Sequence, residues 1–302
     1  MRPEQPSNEP ATPTREGGLV RLRVDVSYDG IDFSGWAKQP DRRTVQGVLE
    51  EAFARQPPGV EVPHSIVVAG RTDAGVHATG QVIHIDVVPY ADGAYTRLPV
   101  DDHGVPELDR MRHRWNRYLP PDIRVLRARV APAGFDARFS AVRRHYVYQV
   151  SDAPWGVDPL RRNDTLAWGR ALDVERMNAA SAALVGLNDF KAYCKQREGA
   201  TTIRELQRLR WERVEPHLVR AHVSADAFCH SMVRSLVGEI LHVGDGRRNQ
   251  QWPVELLRKG VRGSTVAPAH GLCLVGVDYP PDEELADRAE RTRKVRDHTE
   301  LS

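Results

Sequence analysis

LVRLRVDVSY, residues 19–28, alternates apolar and polar side chains with period two, setting Leu22, Val24 and Val26 on one side. That is the pattern of a strand with one buried face. The pattern repeats outward from it. Thr44 can cap a helix carrying Val45, Val48, Leu49, Ala52 and Phe53 on one face. Residues 65–69 and 81–88 read as strands, the second setting Ile83, Ile85 and Val87 against His84 and Asp86. A basic helix over 108–118 stops at Leu119-Pro120-Pro121, and 123–130 is again a strand. The second half repeats the order: a strand at 145–150, a helix at 174–184, and a strand pair at 205–214 and 217–223. A long helix at 225–243 and a closing strand at 272–277 complete it. Neighbouring strands connect like hairpins, which makes each half α+β and argues against a Rossmann alternation.

The 302 residues allow about two domains and a core that needs no staples. The 40% apolar and 28% charged composition is that of a globular protein. No apolar run is long enough to span a membrane. Residues 1–18 are rich in Pro, Ser, Glu, Thr and Gly, lack an apolar secretory stretch, and are expected to be a disordered arm. Cys194, Cys229 and Cys273 are scattered, so neither a disulfide framework nor a zinc site is expected. These features read as a cytoplasmic protein. The formal charge is only +2, but it is unevenly placed. Between Arg110 and Arg144 ten arginines face two aspartates, a net +8 over 35 residues, while both ends of the chain are acidic. Such a run is either a solvated face or a phosphate-binding surface.

AGRTDAGVHATGQ, residues 69–81, lies between two of the strands and holds one acid among three glycines. Asp73 is the only carboxylate between His64 and Ile85. On spacing alone the ordinary reading is a turn whose aspartate caps its own backbone. A lone carboxylate argues against a two-acid glycosidase. No phosphate-binding or dinucleotide-binding glycine motif is present.

The string GRTDAGVHATGQV, residues 70–82, resembles the signature of the TruA family, the tRNA pseudouridine synthase A enzymes. Tyr28-Asp29-Gly30 with Phe33-Ser34-Gly35-Trp36, Gln39-Pro40 and Arg43-Thr44-Val45-Gln46 are similar to that family's opening block. Arg138-Phe139-Ser140-Ala141 with Arg144-His145-Tyr146-Val147-Tyr148 resemble its second motif. The stretch from Ala227 to Arg234 with Val237-Gly238 resembles its third, and Gly271 to Tyr279 its last strand. Five blocks fall in order. Ala37 departs from the usual Gln, the 89–108 segment is a longer insert, and 189–203 matches loosely.

The resemblance implies isomerisation of uridine in tRNA without a cofactor or metal. Asp73 would be the essential carboxylate, either attacking C1′ or C6 or removing the 2′ proton; both roles stay open. Arg71 would help displace the base or hold the flipped nucleotide. Tyr146 would stack on uracil, its phenol a candidate for removing the C5 proton, with Tyr148 left to the core. Arg234 sits among apolar helix residues, where a charge needs a partner, and both that argument and the family match pair it with Asp73. Leu274 would wall the uracil pocket. His77, His84 and His230 read as structural or RNA-contacting. Arg143 and Arg144 would line the cleft. Arg42 and Arg43, with Arg110, Arg112, Arg114 and Arg117, would meet phosphates.

The expected fold is α+β: two similar domains, residues 19–130 and 131–280, each an antiparallel sheet with helices on one face. They would form a joined sheet with a central basic cleft, followed by a polar tail over 281–302. The expected partner is the anticodon arm of tRNA, at nucleotides 38–40, bound by a homodimer with no membrane contact. The alternative is a non-catalytic tRNA-binding or chaperone protein on the same platform.

Overall fold

Strand β1, Val20–Tyr28, buries Leu22, Val24 and Val26 as its alternation requires. The computed structural model describes residues 19–55, 65–87, 108–195, 201–261 and 265–294. The expected arm at 1–18 lies outside them, as does nearly all of the expected insert at 89–108. After β1 come α1 (Val45–Ala54), β2 (Ile66–Val68), β3 (His77–Val87), α2 (Leu108–Tyr118) and β4 (Ile123–Val130). The chain continues through β5 (Arg143–Ser151), β6 (Leu166–Ala167), α3 (Val174–Ala182), β7 (Gly186–Asp189), β8 (Ile203–Glu215) and β9 (Leu218–Ala225). It closes with α4 (Met232–Gly244), α5 (Trp252–Lys259), β10 (Leu272–Asp278) and α6 (Leu285–Arg293). The architecture is α+β around one large, mostly antiparallel sheet.

The sheet runs β4-β1-β3-β10-β5-β9-β8-β7, with β2 added to β3 and β6 to β5. The last strand is therefore central. It lies parallel to β3 through Cys273–His77 and Leu274–Ala78, and antiparallel to β5 through Leu274–Tyr146. Main chains come close at this seam: a Cβ on Gly80 would fall 2.3 Å from the Val275 carbonyl oxygen. The larger apolar cluster is continuous from Val20 to Leu274 and carries Trp36, Trp115 and Trp211 fully buried. On the opposite face of β3 a second cluster joins Val82, Phe135, Ala137 and Leu285.

Several expectations change. The helix expected from 225 begins only at Met232. β9 runs on to Ala225, and the Asp226 carboxylate then accepts from the amides of Glu205 and Ala227, which fixes a non-helical turn. β3 starts four residues early, because Ala78 pairs with both Tyr28 and Leu274. Strands β6 and β7 and helix α5 had no expectation. The tail is not simply exposed, since Leu285 and Ala289 bury one side of α6. The scattered cysteines include one pair: Cys194 and Cys229 are disulfide-bonded, with Cα atoms 5.6 Å apart. The Lys195 amide donates to the His230 carbonyl and draws their two segments together.

Candidate active site

The loop between β2 and β3 carries Asp73, and its main chain is held from several sides. Gln81, fully buried, donates to the Gly70 carbonyl at 2.8 Å and to the Tyr28 hydroxyl at 3.2 Å. The Tyr28 and Thr72 hydroxyls share a 2.8 Å hydrogen bond. The Trp36 amide donates to the Thr72 carbonyl and the Gly75 amide to the Phe33 carbonyl. Gly35, at φ +95°, allows the close approach, for a Cβ there would sit 3.2 Å from the Thr72 oxygen and the Ala74 nitrogen. The segment after β1 is thus the cradle of the aspartate loop.

Asp73 does not cap its own turn with its side chain. The Val76 amide donates to the Asp73 main-chain carbonyl, and the carboxylate turns across to the start of α4. Arg234 Nη1 donates to Asp73 Oδ2 at 3.4 Å, and the Ser231 hydroxyl approaches the same oxygen at 3.5 Å. His230 Nε2 faces Oδ1 at 3.4 Å. Arg234 is itself oriented by Nε, which donates to the Ala267 carbonyl at 2.7 Å. Gly238, one turn on, lets that segment lie against the helix: a Cβ would meet the Thr265 oxygen at 2.1 Å.

Tyr146 on β5 and Leu274 on β10 are paired across the seam, both buried. The Tyr146 hydroxyl lies 4.0 Å from where a Gly70 Cβ would stand, and its ring meets Phe228 edge-on at 5.2 Å. Burial pushes its phenol up, with Tyr28 and the Asp73 charge adding to the shift. Tyr148 is fully buried and donates to the Pro268 carbonyl at 2.8 Å.

The arginines divide. Arg71 is exposed, without an ion-pair partner among the described residues. Arg144 does not line an open cleft. It is buried and donates to the main-chain carbonyls of Ala69, Arg138 and Asp226, so its guanidinium holds three chain segments together. Burial lowers its pKa from the ordinary value. Arg143 is exposed and donates to Gln207 at 2.6 Å. Arg43 makes a two-point pair with Asp122 at 2.8 and 2.9 Å and stacks over Phe33, while Arg42 is exposed. Arg114 is half-buried and Arg117 exposed on α2, which packs on β4 at the sheet edge. That edge is three strand spacings, about 15 Å, from β10. The basic run is therefore spread over several elements.

His77 is structural. The Gly30 amide donates to Nδ1, leaving Nε2 to face the carbonyls of Asn163 and His270. His84 Nδ1 accepts from the Ala137 amide. Sequence reasoning left His230 and Ser231 out of the aspartate's surroundings. No local signal marked them, because His230 and Ser231 reach Asp73 from the left-handed turn before α4 and not from a helix face.

A model of the family described as tRNA pseudouridine synthase matches residues 26–140 and 180–280. The chain belongs to that family. tRNA pseudouridine synthase A of Frankia casuarinae is 56% identical over 283 residues, covering 92% of this chain and 96% of that protein. The enzymes of the same name from Mycobacterium leprae and Streptomyces griseus are 55% and 54% identical. They cover 92% and 93% of this chain, and 96% and 95% of their own lengths. As a tRNA pseudouridine synthase the chain is an isomerase that converts uridine to pseudouridine. Among the described residues no helix is long and apolar enough to cross a membrane.

Proposed function

We propose that this tRNA pseudouridine synthase acts on uridines of the anticodon arm, at nucleotides 38–40, with Asp73 as its one essential carboxylate. The observation that carries the reading is the convergence of Asp73, Arg234, Tyr146 and Leu274 where β3, β10 and β5 meet. In this reading residues 19–130 and 131–280 act as two domains about that seam, with a basic cleft between them. A homodimer in the cytoplasm holds the tRNA.

The chemistry breaks N1–C1′ and joins C5 to C1′; C5 loses its proton and N1 gains one, so nothing is oxidised or reduced. A uridine in a stem must leave the stack, at a cost of a few kcal/mol, and the exposed Arg71 stands two residues from Asp73 to help displace it. Arg234 donates to Asp73 and holds its carboxylate ready either to attack the sugar or base or to take the 2′ proton. Tyr146 offers an aromatic face to the uracil, and Leu274 closes the apolar side. Arg143, Arg42 and Arg43 supply phosphate contacts on the surface, with Arg114 and Arg117 further out on α2.

The test is release of tritium from C5 of uracil in labelled tRNA. The protein should release it from anticodon-arm uridines. Asp73→Asn should stop release while tRNA affinity stays within about threefold, since a positioned carboxylate acts on the barrier more than on binding. Binding without any release would return the chain to a non-catalytic tRNA platform. Free uracil and abasic sites would mean base removal instead.

A further inference from the structure

We propose that His230 and Ser231 are positioning residues which, with Arg234, fix the plane of the Asp73 carboxylate. The inference rests on the reading of Asp73 as the reacting group. The two carboxylate oxygens have different partners: His230 Nε2 stands 3.4 Å from Oδ1, while Arg234 Nη1 and the Ser231 hydroxyl stand 3.4 and 3.5 Å from Oδ2. Turning the carboxylate about its last side-chain bond would pull both oxygens away from their partners, so contacts on both oxygens hold the angle of the plane. Arg234 alone touches one oxygen and leaves that rotation open.

The local backbone is shaped for this task at a cost to the helix. Ser231 occupies the N-cap position of α4, where a serine oxygen ordinarily accepts from the amides of the first turn. Here it makes no capping bond. Its hydroxyl points to Asp73, and its φ is +63°, one of two non-glycine residues with positive φ among those described. Such a conformation is unfavourable for a residue with a side chain and persists where surrounding structure imposes it. The left-handed turn directs residues 230 and 231 toward the loop, whereas a helix begun at 225 would have carried them on in regular succession. The anchors beneath the turn are strong: the Asp226 carboxylate holds its start, the Lys195 amide holds the His230 carbonyl, and Cys229 is tied to Cys194.

A fixed carboxylate plane matters because either open mechanism needs one oxygen aimed at a sugar or base atom. Misplacing a reacting group by about 1 Å costs up to about a hundredfold in rate. His230→Gln keeps an amide nitrogen near the place of Nε2, whereas His230→Asn stops short of Oδ1. Single-turnover tritium release with saturating enzyme, beside filter binding of the same tRNA, separates chemistry from affinity. His230→Asn should slow release about thirtyfold, with tRNA affinity within about threefold of wild type. His230→Gln should recover to within about fivefold of wild type. Ser231→Gly, which suits the positive φ and removes the hydroxymethyl side chain, should slow release with no loss of thermal stability. Equal rates for the Asn and Gln variants, or affinity falling in step with rate, would overturn the inference. A wild-type protein that releases no tritium would sink the functional reading first and take this one with it.

Discussion

Arg144 stands where three stretches of main chain meet, donating to the carbonyls of Ala69, Arg138 and Asp226. One stretch leads into the Asp73 loop and another into the turn bearing His230, so this buried cation sets the distance between them. A lysine has one nitrogen and no planar fork. Arg144→Lys should therefore lose about 1–3 kcal/mol of stability by denaturant titration, from carbonyls left unsatisfied in the interior. Unchanged stability would mean that water replaces the guanidinium. From sequence, Arg144 and Arg143 were alike, two cations before an aromatic strand. Which of them was buried depended on β5 pairing with β9 at Arg144–Ala225, a partner 81 residues away. Arg234 was easier to read, because a charge amid Met232, Val233, Leu236 and Val237 requires a counter-charge. His230 was passed over because the isomerisation has no evident step for imidazole. Its contact with Asp73 needed the true start of α4.

At the scale of elements, alternation located most strands, and the ends of β4 and α2 coincide with those read from the sequence. It failed at α4, where Phe228 and Cys229 extend the apolar pattern backward while Asp226 and Ser231 impose a turn. It also failed at β6 and β7, four residues or fewer, which are too short to show a period. The β3–β10 seam was illegible too, since a parallel contact of two residue pairs leaves no local trace. Gly80 exposes what that seam demands. Gly80→Ala would drive a methyl into the Val275 carbonyl, and a loss of about 1–3 kcal/mol is expected. Catalysis should fall with it, because Leu274 and Ala78 hold the two sides of the site in register. A melting temperature equal to wild type would mean the strands can part there without cost.

Across the whole molecule, five tyrosines, Tyr28, Tyr146, Tyr148, Tyr193 and Tyr279, have phenols pushed up chiefly by burial. Their folded pKa values lie above the unfolded value near 10, so the folded state binds more protons at high pH. Their contribution to stability is complete below about pH 10 and declines as the pH rises beyond it. Alkaline titration should therefore show phenolate absorbance from these residues rising together with loss of near-UV dichroism. Early, gradual ionisation in a folded protein would show that the rings are open to solvent. The charge, +2 overall with +8 in one run, left open a solvated face or a phosphate-binding surface. The fold distributes those arginines over α2, β4, the turn at Arg138 and the start of β5, and buries one of them.

The central place of β10 bears on how the chain is made. His77 and Cys273 are adjacent in the sheet although 196 residues separate them in the chain. A ribosome delivering the chain from its N-terminus has released β1, β3 and β5 long before the strand that must lie between β3 and β5. Until residues 272–278 emerge, the gap in the sheet stays open, with two apolar strand edges facing each other across it. Asp73 and Tyr146 consequently reach their working separation only after β10 has emerged. A chain cut short by a late stop codon would hold every residue of the site except Leu274 and still lack the site.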